Sequence, residues 1–399
     1  VSAPVSSIAG PGRGKLSSGA SQIQEETTVK ITDVRTRRFV FSQEDHPFHP
    51  TWRPFPEQHQ DVTVVEIHTD EGITGIGAGG VLTRLNTVAG LFVGKDPLAI
   101  EEHWHLLRGI AHFMGRPWPI EVALWDIAAK KAGVPLAKLL GGKNEKLLAY
   151  CSTGEIHPLE QRVEEVLKLR EQGFKAVKLR FHNPDWRIDL KTLDAVRKAV
   201  GDTMTIMVDG NWGWYLPGDR REGAWDRKTA RAVIRELERY DVFWIEEPLY
   251  AYDYEGLAEL RANTTVRIAG GELNAGLHEF QVYFDKKSFD VYQPDCTFAG
   301  GITVAKKVAG MAEAAGLLFA PHTWTNGLGL AANLQVAASV SNCPFIEFPY
   351  DPPNWVPEYR DFMLTEPFRI DKDGYLHVPD KPGLGVELDE DRLRALERA

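Results

Sequence analysis

The chain has 399 residues, 43% hydrophobic and 26% charged, which suits a globular protein of two domains or one barrel with an attachment. A net charge of −10 gives no electrostatic footprint for nucleic acid, and no apolar run is long enough to cross a bilayer. Cys151, Cys296 and Cys343 are too few and too scattered for a disulfide framework or a zinc site, so a reducing, cytoplasmic setting is expected.

Residues 1–29 are rich in Gly and Ser and read as a disordered tail or an appended remnant. Residues 30–41 and 61–69 read as strands, and "DEG" at 70–72 turns the second back into "ITGIGAG". Between the first two strands, "SQEDHPFHPTWRPFPEQHQ" is an ordered loop and a candidate lid, whose His46, His49, Trp52 and Arg53 either pack or hydrogen-bond substrate. Helical patterns follow at about 97–115 and 120–132, the second stopped by Gly133 and Pro135. Strands before helices suggest a small α+β domain over residues 30–145.

From residue 146 the pattern changes. Short apolar strands alternate with amphipathic helices, and the strands end near "LLAYC", "AVKLRF", "TIMVD", "VFWIEE", "VRIAGGE", "DVYQPD", "LLFAPH" and "PFIEF". Polar residues at or near these ends are Lys178, Asp209, Glu246, Glu272, Asp295, His322 and Glu347, at intervals of 23 to 37 residues. Each interval fits one βα unit, with an insertion over 212–227 in the longest. Such units make a parallel barrel over 146–368 whose site lies at the C-terminal strand ends. Residues 369–399 read as a return to the small domain.

Lys178 and Arg180 share one face of an apolar strand, since residues two apart point the same way. Buried cations need anions. Asp209, Glu246 and Glu272 supply them, and three converging carboxylates in turn suit Mg²⁺, a hard cation with oxygen ligands. Singly, each acid reads as well as a surface carboxylate or helix cap; together on adjacent strand ends they read as a metal set. Glu247 rivals Glu246. Asp295 beside His322 would fix the imidazole tautomer and raise its basicity, making a general base. Glu347, if protonated, could donate a hydrogen bond to an oxyanion. Asn211 orients a ligand or shapes a turn.

These pieces, with "ALWDIAAKKAGVPLAKLLGG", "VDGNWGW", "WIEEPL", "GGELNAG" and "APHTW", occur in an order that resembles the enolase superfamily, mandelate racemase group, over about residues 30 to 385. The resemblance implies an α/β fold, a (β/α)7β barrel capped by a domain built from both chain ends. It also implies Mg²⁺ on Asp209, Glu246 and Glu272, a His322–Asp295 dyad, and a symmetric homo-oligomer. It selects Glu246 over Glu247. Reactions of this superfamily begin by removing a proton α to a carboxylate. Racemases of the group resemble one another in Lys-x-Lys, the second Lys being a base; here that position is Arg180, which stays protonated. The departure points to a one-sided reaction, dehydration of a sugar acid to a 2-keto-3-deoxy acid, with Arg180 holding substrate oxygens. Racemisation, epimerisation and cycloisomerisation are the alternatives. "GIGAGG", Gly75 to Gly80, raises a nicotinamide dehydrogenase, but it follows a hairpin return rather than opening a βαβ unit, and its glycines read as a loop passing near the site. A non-catalytic sugar-binding protein would not need ligands, base and orienting carboxylate together.

Overall fold

A three-stranded antiparallel sheet opens the chain: β1 (Ile31–Ser42), β2 (His59–Thr69) and β3 (Thr74–Gly79). The computed structural model describes residues 28–79, 88–214 and 224–396. The tail reading over 1–27, Gly80, and positions 215–223 of the insertion lie outside them. Two helices, α1 (Ile100–Met114) and α2 (Trp118–Ala132), follow the sheet. Helix α2 lies flat on β3. A Cβ at Gly75 or Gly77 would come within 2.1 Å of a helix carbonyl oxygen, Ala123 or Pro119. The glycines of "GIGAG" therefore serve helix–sheet packing, not a dinucleotide and not a loop near the site.

Eight parallel strands form the second layer: β4 (Lys146–Ser152), β5 (Ala176–Arg180), β6 (Thr205–Asp209), β7 (Val242–Glu246), β8 (Arg267–Gly270), β9 (Val291–Tyr292), β10 (Leu318–Phe319) and β11 (Ile346–Pro349). Their order is β10-β9-β8-β7-β6-β5-β4-β11. Between the outer two, the Phe319 N–H donates to Asn342 O at 3.0 Å and the Thr323 N–H to Glu347 Oε2 at 2.6 Å. This is the α/β barrel expected from the strand spacing. Helices α3 (Leu159–Glu171), α4 (Trp186–Val200), α5 (Arg227–Leu237), α6 (Tyr254–Ala262), α7 (Gly276–Lys286), α8 (Gly301–Ala314) and α9 (Gly327–Ala338) connect them. Helix α5 shows why they sit outside: its buried residues, Ala230, Val233, Ile234 and Leu237, form one stripe at helical spacing. Asp226 caps its start, accepting from the Thr229 N–H at 2.7 Å.

Inside the barrel, each strand position supplies one residue to a floor: Tyr150, Ala176, Met207, Trp244, Ala269, Val291, Ala320 and Phe345. The two layers are pinned by a buried acid. Glu121 of α2 accepts from the Ile302 N–H at 2.7 Å and the Thr303 N–H at 3.0 Å, at the start of α8. Burial lifts its carboxyl to about 7 despite these donors. The last segment pairs Tyr375–His377 antiparallel with β4, and the Leu384 N–H then reaches Asp126 Oδ1 of α2 at 2.7 Å. Among the described residues no helix is long and apolar enough to cross a membrane.

Candidate active site

Alternation along each strand carries the inward face from the apolar floor to the mouth. Ala176 leads to Lys178 and Arg180, Met207 to Asp209, Trp244 to Glu246, Val291 to Gln293 and Asp295, Ala320 to His322, and Phe345 to Glu347. Arg180, Asp209 and Glu246 are register partners across β5, β6 and β7, so they form one row. The same parity puts Glu246 inside the barrel by geometry. Glu247 falls past the strand end with φ +45° and turns to the position of Gly213, where a Cβ would meet its Oε1 at 2.2 Å.

Lys178 is fully buried. Its ammonium donates to Glu246 Oε2 at 2.8 Å and lies 3.1 Å from Asp209 Oδ2 and 3.0 Å from Glu347 Oε1. Burial alone would lower its pKa, but Glu246, Glu347 and Asp209 outweigh burial and hold it above its usual value. Gln293 Nε2 also donates to Glu246 Oε2, at 2.8 Å. Glu347 accepts from the Thr323 N–H at 2.6 Å and lies 3.0 Å from the Lys178 ammonium. Burial opposes its charge, yet Lys178, His322 and the Thr323 N–H together hold its carboxyl at about 2. It is an acceptor here, so the neutral, proton-donating role expected for it is not what this arrangement supports.

Arg180 differs from expectation in a second way. Its guanidinium donates to Thr153 O, Asp209 Oδ2 and Asn211 Oδ1, and reaches Ser152 Oγ at 3.4 Å. Its faces are covered by Trp52 of the lid, 4.7 Å from the ring centroid, and by Trp324, 5.5 Å away. The fork meant for substrate oxygens is committed to protein. Asn211, at φ +50°, shapes the turn, and its Oδ1 is occupied by protein donors, Arg180 at 2.9 Å and Thr51 Oγ1 of the lid at 3.2 Å.

The lid closes on aromatics. Phe48 stacks on Trp324 at 5.5 Å and lies 4.9 Å from Trp355. Gly154 makes room, since a Cβ there would meet the Phe48 ring at 2.3 Å. The lid backbone is fixed by the His49 N–H donating to Glu155 Oε1 at 2.6 Å. Of the lid residues singled out from sequence, Trp52 joins the site's edge. Arg53 instead pairs with Glu57 at 2.8 Å and is half exposed, and the His46 ring lies 6.0 Å from Tyr359.

The dyad is formed. His322 Nδ1 lies 2.9 Å from Asp295 Oδ2. Asp295 is held in turn by the Thr297 N–H and hydroxyl, both at 2.7 Å, and by Asn333 Nδ2 at 3.1 Å. His322 Nε2 faces Glu272 Oε2 at 3.6 Å, and Trp214 Nε1 donates to Glu272 Oε1 at 2.9 Å. Lys178 thus stands between Asp209 and Glu246, and Glu272 lies across the mouth beside the imidazole. The tightest three-ligand group among the described residues is elsewhere, at His157, Glu165 and Asp351. There the Arg162 guanidinium, 2.9 Å from Asp351 and 3.1 Å from Glu165, already supplies the cation.

The donor set still fits Mg²⁺. Glu246 Oε1 and Glu247 Oε2 are buried and lack hydrogen-bond partners. Burial and then Asp209 raise Glu246 to about 8, and burial, Glu272 and Asp209 raise Glu247 well above its usual value. Buried acidic oxygens without donors are what a hard cation satisfies.

Residues 161–392 match the family described as "Enolase C-terminal domain-like", and residues 35–141 match the mandelate racemase / muconate lactonizing enzyme N-terminal domain. The chain belongs to the enolase superfamily, mandelate racemase group. It is similar to an L-talarate/galactarate dehydratase of Salmonella typhimurium, 32% identical over 86% of this chain and 84% of that protein. It is also similar to a D-galactarolactone cycloisomerase of Agrobacterium fabrum, 29% identical over 92% and 98% of the two chains. Among solved structures, an L-talarate dehydratase of Polaromonas sp. JS666, complexed with Mg and L-glucarate, superposes with a TM-score of 0.79 at 30% identity, covering 93% of this chain and 98% of that one.

In this enolase-superfamily barrel, sequence reasoning missed Gln293, Trp214, Trp324 and Asn333. Gln293 had a readable signal: it is a polar residue two before Asp295 on an inward face. The others touch the site from loops or a helix. His322 carries a pH prediction. Burial would lower its pKa, but Glu272, the Asp295 hydrogen bond and Glu347 outweigh burial and raise it to about 9. The metal-free protein therefore keeps the imidazole protonated at neutral pH. A cation on Glu272 would cancel the largest raising charge and free the base. In an NMR titration His322 is expected to titrate near 9 without metal and at least about one unit lower with Mg²⁺. An unmoved titration would contradict the ligand role of Glu272.

Proposed function

We propose that the chain is a Mg²⁺-dependent dehydratase of sugar acids. One observation carries this: of the charged groups described around the mouth, His322 is the one built to give and take a proton. Lys178 is buried among three carboxylates and Arg180 is sealed by protein. A base on one side supports elimination over racemisation.

His322 Nε2 takes the C2 proton of the acid, and the electron pair enters the carboxylate. The pair then returns to form the C2–C3 double bond as the C3–O bond breaks. The imidazolium gives its proton to the departing hydroxyl, which leaves as water. The enol so formed takes a solvent proton at C3 and gives up its C2 hydroxyl proton to solvent, leaving the 2-keto-3-deoxy acid. Asp295 holds the imidazole tautomer and offsets its positive charge. Lys178 stabilises negative charge gathering on the carboxylate. A divalent cation held by Asp209, Glu246 and Glu272 would add Lewis-acid stabilisation of that charge. Three cysteines, none in a disulfide, support a reducing cytoplasm.

The test is a screen of aldonates and aldarates, with lactones and anhydro acids added because of the likeness to cycloisomerases. Each is incubated with Mg²⁺ or EDTA and scored for 2-keto acid. Mg²⁺-dependent keto acid from at least one open-chain acid is expected. Interconversion of C2 epimers, with deuterium entering both, would replace this reading by an epimerase.

A further inference from the structure

Arg116 lies in the turn between α1 and α2, a solvent-exposed residue at the rim of the barrel mouth. One amino group donates to Leu273 O at 3.1 Å, the residue after Glu272. The guanidinium covers the Phe298 ring at 4.8 Å, and Phe298 lies 6.0 Å from the His322 ring. Arg116 is thus one aromatic ring away from the imidazole.

Its surroundings leave it charged and under-used. Asp295, Glu272 and Glu279 attract it, yet none accepts a hydrogen bond from it. Each is already engaged: Asp295 by His322, Thr297 and Asn333, Glu272 by Trp214, and Glu279 by Asn274. Among the described residues Nε and the second amino group have no partner. Among the described residues, Lys178 is committed to Asp209, Glu246 and Glu347, Arg180 to Asp209 and Asn211, and Arg53 to Glu57. Phe48, Trp52 and Trp324 form an aromatic cluster at the mouth. A substrate with C2 at His322 has the Arg116 guanidinium within reach past the Phe298 ring, with donors that no described residue takes up.

We propose that Arg116 binds a second carboxylate, at the far end of the substrate, and that the acids this enzyme takes are dicarboxylic sugar acids rather than monoacids. This rests on the dehydratase reading for the reaction but not for the subsite. A guanidinium with two spare donors matches a carboxylate in the bidentate manner, and a terminal CH₂OH cannot return that geometry or charge.

The test separates binding from turnover. His322→Asn protein with Mg²⁺ is titrated by calorimetry with aldarate/aldonate pairs of matched stereochemistry, such as galactarate and galactonate. The best-bound pair is expected to favour the diacid by about 10- to 100-fold. Adding Arg116→Ala should weaken the diacid at least about tenfold more than the monoacid, and Arg116→Lys should recover part of the difference. No preference for the diacid in any pair overturns the proposal, as does a loss of equal size for both members. If the preference holds while wild-type protein dehydrates nothing, the subsite stands and the dehydratase reading fails.

Discussion

His322→Asn is expected to abolish the proposed dehydration and, with it, exchange of the substrate C2 proton in deuterium oxide. The expected loss is about 10²–10⁴-fold, the contribution of a placed general base. Asn keeps a polar side chain of similar reach but cannot accept and hold a proton at neutral pH. Exchange is the sharper readout, because it reports proton removal whether or not the hydroxyl later departs. Asp295→Asn should fall in rate while still binding Mg²⁺, since Asp295 touches Nδ1 and none of the three proposed ligands. Retained exchange in His322→Asn would move the base to Lys178, and the one-sided mechanism would go with it.

Lys178→Met should destabilise the metal-free protein by about 3–5 kcal/mol, the usual cost of stripping one partner from a buried charge set. The ammonium has carboxylates at 2.8, 3.0 and 3.1 Å, and none of the three is open to water. Removing it leaves Asp209, Glu246 and Glu347 facing one another. Glu347 adds a pH sign. Its folded pKa of about 2 lies below an unfolded value near 4.3, so its stabilisation is complete above that value and fades as pH falls toward 2. Mg²⁺ should recover more stability in Lys178→Met than in wild type, because the divalent cation takes over the same neutralisation. Denaturant midpoints in EDTA and in Mg²⁺ measure both effects. An unchanged midpoint in EDTA would mean that the carboxylates are protonated or reoriented and that the lysine is not their counter-ion.

The barrel and its polar ring were legible because both rest on short-range rules. Period two along each strand and one βα unit between strand ends placed Asp209, Asp295 and His322 without any long-range information, whereas Glu246 was chosen over Glu247 by the family resemblance. The same parity would have separated Glu246 from Glu247: Trp244 belongs to the apolar floor, and two residues on is Glu246. What stayed hidden depends on contacts far apart in sequence. Arg180 reads as a substrate fork until Trp52 and Asn211 are brought to it. The glycines of β3 read as a loop until α2 lies on them. Arg116 sits in a turn between two helices, and nothing local marks that turn as facing the mouth. Glu347 depends on Lys178 and His322, which reach it from other strands and make it an anion.

The floor of eight inward side chains, Tyr150 to Phe345, has a consequence for proton traffic. Among the described residues, the floor's polar atoms are the Tyr150 hydroxyl and the Trp244 indole N–H, both buried and without a hydrogen-bond partner, so no chain of hydrogen bonds runs downward and exchange with bulk solvent reaches the site from above. A bound substrate under the Trp52 lid occupies that same entrance. The imidazole then exchanges with the bulk more slowly in the complex than in the free protein. In the dehydratase reading the barrel is a one-ended vessel: the departing hydroxyl competes with solvent deuterium for the hydron lifted from C2, and the rate of C2 exchange measures that competition.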